Sequence, residues 1–493
     1  MKILLIYPKN PDTYWSFKHA LKFVSKKAVN PPLGLITVAS LLPANWEKKL
    51  IDMNVSPLHE HDIKQADYVF ISAMSVQLQS VNEIIKRCKS AGKKIVAGGP
   101  LFTEEFDKFS DVDYLVLNEA EITLPVFIKD LLNGDAKHIY KTSDFADLQS
   151  SPVPDYSLIR TKKYNSLTLQ FTRGCPFNCE FCDITALYGH KVRTKSTEQV
   201  LSELENLYNT GWRNNVFFVD DNFIGNKAEL KESLLPAMIE WMRGHNYPFT
   251  FMTEASINLA DDPVLLDLMV QAGFDQLFIG IETTEEASLI ECNKVQNHKR
   301  DLMQSVKIIQ SAGIEVTAGF IVGFDNDSPS VFQQMIEFIQ RSGIITAMVG
   351  LLNAPRKTKL YERLEKEGRI IDDWTGDNTN FSMNFVPKMN KQILMKGYQN
   401  ILHGIYSSRP YYERITSFLK TFNPSVRNQG KISFRGLKAF FKSIVVIGII
   451  KKNRRYYWKL LFWTLFNKPQ TFSLAVTYSI FGYHYRKVFN VRS

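Results

Sequence analysis

The chain has 493 residues, of which 45% are hydrophobic and 22% charged. A chain of this length exceeds one ordinary hydrophobic core, so we expect two or three domains, and its composition excludes a disordered or fibrous protein. Five cysteines are too few for a disulfide framework, and Pro8 breaks the N-terminal apolar run too early for a signal peptide. We therefore expect a cytoplasmic protein whose thiols are free or bind metal.

Charge divides the chain into two unequal parts. The net charge is +10, but residues 414–493 hold 16 Lys and Arg and no Asp or Glu. The remaining 44 basic and 50 acidic residues give the first 413 residues a net charge of −6. This asymmetry predicts a mildly acidic body with a basic appendage.

Residues 1–141 alternate short apolar runs with helical patterns, which is typical of an open, parallel, Rossmann-like α/β sheet. Strands are predicted at 3–7, 49–53, 68–72, 94–97 and 114–117, and helices at 33–42, 76–90 and 122–132. Such sheets bind ligands at the carboxyl ends of their strands, where the sequence places a rim of six residues. They are Asp52, Asn54, Ser72, Ser75, Gly98 and Gly99.

Two observations bear on the ligand of this rim. No GxGxxG or GxxxxGK[ST] motif occurs in this part of the sequence, so neither a dinucleotide nor a nucleoside triphosphate is indicated. The Gly98-Gly99 pair would let the backbone approach a bulky flat ligand, but a tight turn explains such a pair at least as well.

A polar, proline-bearing segment at 142–165 predicts a linker to a second α/β domain at 166–370. Strands are predicted at 167–172, 216–219, 249–253, 276–281, 315–322 and 346–352, with helices at 196–209, 230–242, 263–271, 300–311 and 329–342. Six such units predict an open, partial (β/α)6 barrel whose chemistry lies at the carboxyl ends of the strands.

Three cysteines follow the first strand of the second domain within eight residues, as Cys175, Cys179 and Cys182. Thiolates on one short loop suit an iron–sulfur cubane, because soft sulfur matches iron, and three ligands leave one iron open. The alternative is a structural zinc site with His190 or Asp183 as fourth ligand. Structural zinc sites usually bring two separated pairs of ligands, so we favour the cluster.

This loop resembles the CxxxCxφC signature of the radical S-adenosylmethionine (SAM) superfamily, with Phe181 as the aromatic residue before the last cysteine. The resemblance implies a 4Fe-4S cluster on the three cysteines, with Phe181 beside the adenine of SAM. Polar residues at other strand ends are then candidate SAM contacts, although any of the acids could instead cap a helix. These candidates are Asp220, Glu254, Glu282 and Gly323.

An α/β sheet directly before such a barrel is similar to the cobalamin-binding domain of one large radical SAM subclass. Cobalamin would then lie over the rim of the first sheet. The sequence lacks the D-x-H-x-x-G motif that supplies a histidine to cobalt in some cobalamin enzymes, so no axial ligand is assigned. Short motifs resemble a subfamily with an added C-terminal domain of unknown function, to which hopanoid C-2 methylases are similar. They are Tyr14-Trp-Ser-Phe-Lys-His-Ala20, Asn30-Pro-Pro-Leu-Gly-Leu35 and Asn384-Phe-Val-Pro-Lys-Met389.

The chain departs from this subfamily at one turn. After the sixth strand of the barrel, the expected Leu-Pro-Gly turn reads Ala354-Pro-Arg-Lys357. A basic pair in place of glycine could alter the mouth of the substrate site.

The resemblance also implies a reaction. An external one-electron reductant would cleave SAM to a 5′-deoxyadenosyl radical that abstracts hydrogen from an unactivated carbon, and methylcobalamin would supply a methyl group. We expect a methyltransferase that acts on carbon in a small-molecule or lipid substrate. The alternatives are a cobalamin-dependent rearrangement or ring-forming reaction, and a catalytically inactive, membrane-associated binding protein.

Residues 371–493 are predicted to form a mainly helical C-terminal domain whose basic end, from Arg414, carries 17 of the 61 aromatic residues. Its apolar runs, 443–450 and 460–466, are too short to span a bilayer. Basic and aromatic residues on short helices suit an anionic membrane surface, which would place the protein at the inner face of the membrane. The alternatives are a helical subdomain with an aromatic core and, less favoured, a nucleic-acid surface.

Overall fold

The computed structural model describes residues 1–377, 379–424 and 434–491. Six parallel strands form the first sheet: β1 (Lys2–Tyr7), β2 (Glu47–Asp52), β3 (Tyr68–Ser72), β4 (Lys94–Gly98), β5 (Tyr114–Val116) and β6 (Ile139–Tyr140). Their order is β2-β1-β3-β4-β5-β6. The sequence predicted the first five strands, and the two-residue β6 was missed.

Helices cover both faces of the first sheet: α1 (Lys18–Leu21), α2 (Leu33–Leu41), α3 (Glu60–Gln65), α4 (Leu78–Ser90), α5 (Pro100–Glu104) and α6 (Ala120–Asn133). Along β1, Ile3 and Leu5 pack into one apolar cluster, while Leu4 and Ile6 pack into another on the opposite face. Neighbouring strand residues point to opposite faces, so a strand buried on both sides is apolar throughout.

The second sheet also has six parallel strands: β7 (Leu167–Leu169), β10 (Asn215–Phe218), β11 (Thr250–Glu254), β12 (Phe274–Glu282), β13 (Glu315–Val322) and β14 (Ala347–Leu351). Their order is β14-β13-β12-β11-β10-β7, as expected for an open partial barrel. A short antiparallel pair, β8 (Thr172–Arg173) and β9 (Arg193–Thr194), brackets the cysteine loop.

The helices of this domain are α7 (Ile184–Tyr188), α8 (Thr197–Asn209), α9 (Lys227–Glu229), α10 (Leu235–Gly244), α11 (Pro263–Ala272), α12 (Glu286–Glu291), α13 (Leu302–Ser311), α14 (Val331–Ser342) and α15 (Lys359–Lys366). A π-helical segment, Leu230–Leu234, joins α9 to α10. Local sequence sets the helix ends. For α11, the side chain of Asp262 caps the first turn and Gly273 takes the left-handed conformation after the last.

The C-terminal region is helical, as predicted: α16 (Lys391–Tyr406), α17 (Ser408–Thr421), α18 (Phe434–Ser443), a π-helical segment (Ile444–Ile450), α19 (Arg454–Asn467) and α20 (Phe472–Val488). The hydroxyl of Tyr406 donates to the carbonyl of Ala347 at 2.6 Å, which ties α16 to β14 at the edge of the barrel. None of the helices described is long and apolar enough to cross a membrane. Residues 425–433 and 492–493 of the predicted basic end lie outside the described residues.

The segment 142–165 and the N-terminal motif at Tyr14 both connect distant parts of the chain. The hydroxyl of Tyr156 donates to the carbonyl of Thr168 on β7. The ring of Tyr14 stacks on that of Tyr485 in α20 with a centroid distance of 4.7 Å. Both segments share one hydrophobic core with the barrel and the C-terminal helices.

Candidate active site at the strand ends

The three cysteines lie on the loop 175–182, between β8 and α7, which we call the cluster loop. Gly174 precedes it with a φ of +92°, a conformation that favours glycine. The amide of Cys175 donates to the carbonyl of Gly189 at 3.3 Å. Cys179 is buried, Cys175 and Cys182 are half-buried, and all three are free thiols.

The middle of the cluster loop is held by residues that follow β12 and by α15. The amide of Glu180 donates to the carbonyl of Cys292 at 2.9 Å, and the side-chain amide of Gln296 lies 3.9 Å from the sulfur of Cys179. The Glu180 carboxylate accepts two hydrogen bonds from Arg363, at 2.6 and 3.0 Å. These charged and backbone contacts hold the cluster loop against the residues that follow β12 and against α15.

The donor set of the cluster loop fits an iron–sulfur cluster. All three donors are thiols on one short loop, and thiolates are the ligands that iron–sulfur clusters prefer. A cubane binds each thiolate through a different iron atom, whereas a zinc site needs its ligands around one ion. Of the two alternative zinc ligands, His190 is exposed and Asp183 is half-buried. Burial raises the pKa of all three thiols, so a bound cationic cluster would favour the thiolates.

Phe181 and Glu282 meet at a lysine that the sequence did not indicate. The ammonium nitrogen of Lys294 lies 2.5 Å from a carboxylate oxygen of Glu282 and 6.0 Å from the ring centre of Phe181. Glu282 ends β12 with a φ of +63° and is buried. Lys294 and Glu282 therefore lie next to Phe181 of the cluster loop.

Asp220 does not share the surroundings of the other strand-end acids. It is fully buried, and its carboxylate accepts hydrogen bonds from the backbone amides of Phe171 and Thr172, which follow β7. Asp220 therefore connects the end of β10 to the segment between β7 and the cluster loop.

Glu254 and Asp221 are half-buried carboxylates at neighbouring strand ends. Burial raises the pKa of Glu254 to about 8, and the charges of Asp221 and Asp220 add to the rise. Burial also raises the pKa of Asp221 to about 7, with Asp220 and Asp183 as acidic neighbours. Two neighbouring acids of this kind suit a cationic ligand, because a positive charge stabilises their ionised forms. The sulfonium and ammonium groups of SAM carry such positive charge.

Gly323 lies at a contact with the C-terminal region. It follows β13 with a φ of +110°, and its amide donates to the carboxylate of Asp327 at 2.8 Å. A Cβ on this residue would lie 3.2 Å from the side chain of Met383 and 3.4 Å from that of Leu394. Packing and backbone conformation together account for glycine here.

At the rim of the first sheet, Asp52 and Asn54 hold several loops together. The Asp52 carboxylate accepts hydrogen bonds from the backbone and side-chain amides of Asn54, both at 2.8 Å, and from the hydroxyl of Tyr164 at 2.9 Å. The side chain of Asn54 also accepts from the amide of Asn10 at 2.8 Å. The rim is thus joined to the segment that leads into the barrel.

Gly98 and Gly99 are constrained by their own domain. A Cβ on Gly98 would lie 2.5 Å from the carbonyl oxygen of Val116, and one on Gly99 would lie 2.7 Å from the hydroxyl of Ser72. Gly99 also has a φ of +90°. These contacts explain both glycines by close packing of the strand ends and the turn.

Ser75 and Glu104 bring an unsatisfied acid to the same rim. The Ser75 hydroxyl lies 3.4 Å from one carboxylate oxygen of Glu104, and the other oxygen is buried without a hydrogen-bond partner among the described residues. The side-chain oxygen of Asn10 is buried and unpaired in the same way. Burial raises the pKa of Glu104 to about 8, and the charge of Asp183 adds to it. Such polar atoms fit a ligand that brings amide groups, as cobalamin does.

Ion pairs join this rim to the start of the cluster loop. Glu119, which follows β5, lies 3.1 Å from Arg173 and 2.7 Å from Arg193, and Glu121 lies 2.9 Å from Arg173. Arg173 is two residues from Cys175. We call this group the interdomain clamp; it holds the carboxyl end of the first sheet against that of the second.

Comparison with known proteins agrees with this architecture. Residues 24–128 match the B12 binding domain, residues 169–339 the radical SAM superfamily, and residues 358–492 a domain of unknown function (DUF4070). An uncharacterized methyltransferase of Synechocystis is 40% identical over 98% of this chain and 91% of its own length. The chain belongs to the cobalamin-binding radical SAM enzymes. The hopanoid C-2 methylase of Rhodopseudomonas palustris is 34% identical over 81% of this radical SAM enzyme and 77% of its own length.

Solved structures show the same fold. The cobalamin-dependent SAM radical enzyme OxsB, with aqua-cobalamin bound, aligns with 99% of this radical SAM enzyme and 79% of its own chain at a TM-score of 0.61 and 14% identity. The radical SAM methyltransferase TsrM from Kitasatospora setae aligns with 90% of this chain and 98% of its own at a TM-score of 0.60 and 13% identity. The enzyme's cofactors are therefore a 4Fe-4S cluster, SAM and cobalamin, and the zinc alternative is excluded.

Sequence reasoning missed several residues of the site: Lys294, Gln296, Arg363, Glu104 and the four residues of the interdomain clamp. No spacing marks them in the sequence. Their partners lie tens or hundreds of residues away, and single Lys, Arg and Glu residues are ordinarily surface residues. Only the position of Arg173 beside the cysteine motif could have drawn attention to it.

Proposed function

We propose that the enzyme transfers a methyl group to an unactivated carbon of a small-molecule or lipid substrate. The observation that carries this proposal is the interdomain clamp, in which Glu119 and Glu121 meet Arg173. It brings the cobalamin-type rim and the cluster loop to one shared region, as a reaction that uses both would require. The names of the 40% and 34% identical relatives support the same reaction class.

The chain's own residues hold and orient the reactants. When bound, the cluster and SAM supply hydrogen abstraction, and cobalamin supplies a transferable methyl group. Cys175, Cys179 and Cys182 would hold the cluster, while the carboxylates of Glu254 and Asp221 would bind and orient the positive charge of SAM. The interdomain clamp excludes water, and it holds the two cofactor sites in a fixed position relative to each other.

The test is anaerobic reconstitution with iron, sulfide, cobalamin, SAM, a reductant and candidate substrates. We expect 5′-deoxyadenosine and a product heavier by one CH2 unit, because a methyl group replaces the hydrogen atom that is abstracted. The variant Cys175→Ala should lose iron, sulfide and 5′-deoxyadenosine together, whereas Cys88→Ala, which alters a buried thiol of α4, should retain all three. A product of unchanged carbon count would show a rearrangement instead, and a wild-type protein without a cluster would show an inactive binding protein.

A further inference from the structure

The C-terminal helices expose an unusual amount of apolar surface. In the described part of the chain, eight of the 22 exposed large apolar side chains lie between residues 437 and 466. They are Leu437, Phe441, Val445, Ile449, Ile450, Phe462, Leu465 and Phe466. We call them the apolar stripe. Exposed apolar residues scattered singly need no explanation, but a concentration of them marks a surface that is covered in function.

Helix geometry gathers the stripe on two neighbouring helices. Leu437, Phe441, Val445 and Ile449 follow one another at intervals of four along the continuous helix of α18 and the π-helical segment. The rest of the stripe lies mainly on α19, which packs against that segment. Phe466 is the most exposed of the eight, at 79%.

The charge around the stripe has one sign. Residues 434–467 contain eight Lys and Arg and no Asp or Glu. A second copy of the chain would bring the same positive charge against itself, which disfavours self-association. A membrane with anionic lipids complements both the apolar side chains and the positive charge. Trp458 and Trp463, both half-buried on α19, are the kind of residue that favours a membrane–water interface.

A basic pocket adjoins the end of the stripe. This cavity of about 210 Å³ is lined by Lys451, Arg486 and Lys487, together with polar side chains such as Asn453 and Ser408. Lys451 follows Ile450 directly in the chain. Among the described residues, no Asp or Glu lines this pocket. The positive charge of this pocket is therefore left for an anionic ligand.

Aromatic rings hold two of these cations in place. The ammonium of Lys451 lies 5.6 Å from the ring centre of Tyr483, and the guanidinium of Arg486 lies 5.9 Å from that of Tyr412. Burial lowers the pKa of Lys451, and the neighbouring charges of Lys487 and Arg486 lower it further. An anion in the pocket would relieve this repulsion.

We propose that the apolar stripe docks on an anionic lipid membrane and that the basic pocket binds the phosphate of a lipid headgroup. Docking of this kind requires no spanning helix, because the helices would lie in the plane of the interface. The proposal is independent of the reaction proposed above, since membrane binding is measured without turnover.

The test of docking is sedimentation of the full-length enzyme with phosphatidylcholine vesicles that contain or lack phosphatidylglycerol. We expect binding only to the anionic vesicles. The variant Phe441→Ser/Phe466→Ser should lower the partition coefficient at least about tenfold, because it removes two large side chains from the interface. The matched control, Leu132→Ser/Val264→Ser, changes side chains exposed by 61% and 62% elsewhere and should bind like the wild type.

Two results would overturn docking. One is undiminished binding of the Phe441→Ser/Phe466→Ser variant. The other is a wild-type dimer in light scattering that this variant dissociates, since a second copy would then cover the stripe.

The pocket is tested by charge-matched variants. Lys451→Gln/Lys487→Gln should weaken binding to phosphatidylglycerol vesicles about tenfold, and Lys452→Gln/Lys459→Gln, which removes the same charge from exposed positions of the same region, should weaken it less. Equal losses would show general electrostatic attraction and overturn the headgroup site.

Discussion

At the scale of single residues, Asp220 and Glu254 end neighbouring strands of one sheet but have different surroundings. The carboxylate of Asp220 accepts hydrogen bonds from the backbone amides of Phe171 and Thr172, which lie in the segment that leads into the cluster loop. That of Glu254 lies near other acids, and its pKa is raised first by burial and then by the charges of Asp221 and Asp220. The sequence placed both at carboxyl ends of strands, but it could not separate them, because the partners of Asp220 stand almost 50 residues earlier.

These surroundings predict opposite effects of substitution. Asp220→Ala leaves two buried amides unpaired and should lower the free energy of unfolding by about 2–4 kcal/mol in urea titration. Glu254 has a pKa of about 8 and is therefore mostly uncharged at neutral pH, so Glu254→Gln should keep full stability and instead weaken SAM binding at least about tenfold in equilibrium dialysis. If Asp220→Ala remained stable but lost SAM, Asp220 would be a direct SAM contact.

Glu254 also predicts how SAM affinity depends on pH. A cation binds the ionised carboxylate, and this group has a pKa of about 8 in the folded protein. Below that pH a proton must leave when SAM binds, so affinity should increase as pH rises towards 8 and then level off. In Glu254→Gln most of this rise should disappear. An unchanged rise would assign the titration to another group, such as Asp221.

At the scale of elements, periodicity in the sequence identified the long strands and helices of both sheets. Runs such as Glu315–Val322 are apolar over enough residues to be read directly. Periodicity did not identify β6, because its two residues, Ile139–Tyr140, are too few to show an alternating pattern. The sequence also left open whether Gly98 and Gly99 serve a ligand or a turn, because that depends on distances to Val116 and Ser72.

If Gly99 serves a tight turn, its substitution should lower stability, and Gly92 provides a matched control. Gly99→Ala places a methyl group 2.7 Å from the Ser72 hydroxyl at a φ of +90°, and should lower the free energy of unfolding by roughly 3 kcal/mol or more. Gly92→Ala also has a positive φ, +65°, but meets no atom within 4 Å, so only about 1 kcal/mol is expected. If Gly99→Ala lost cobalamin binding at wild-type stability, the glycine would instead serve the ligand.

At the scale of the whole molecule, contacts between distant segments join the first sheet, the barrel and the C-terminal helices into one unit. The interdomain clamp predicts that a single substitution will strongly lower the stability of the protein. Glu119→Gln removes the carboxylate that pairs with Arg193 and one of the two that pair with Arg173, whose bond to Glu121 remains, and should cost about 3 kcal/mol of stability. Glu60→Gln, which alters an exposed ion pair with Arg87, is the control and should cost less than about 1 kcal/mol.

The N-terminal motif at Tyr14 and helix α20 give a second long-range contact. The sequence marked the motif only by resemblance, since its partners lie about 470 residues away. In the structure, the ring of Phe17 stacks on that of His484, and a ring nitrogen of His484 lies 3.0 Å from the carbonyl oxygen of Tyr14. His484 is fully buried. Its protonation state therefore affects how the two chain ends pack.

This contact predicts a specific loss of stability in mild acid. Burial lowers the pKa of His484 from 6.5 to about 4, so the folded protein keeps the ring neutral while the unfolded chain binds a proton. Stability is complete above pH 6.5 and falls as pH decreases towards 4, by roughly 3 kcal/mol in all. Denaturant titrations between pH 7 and 5 should show a smaller decrease for His484→Gln than for the wild type. The exposed His403→Gln should follow the wild type, and parallel curves for all three proteins would mean that His484 is not the group responsible.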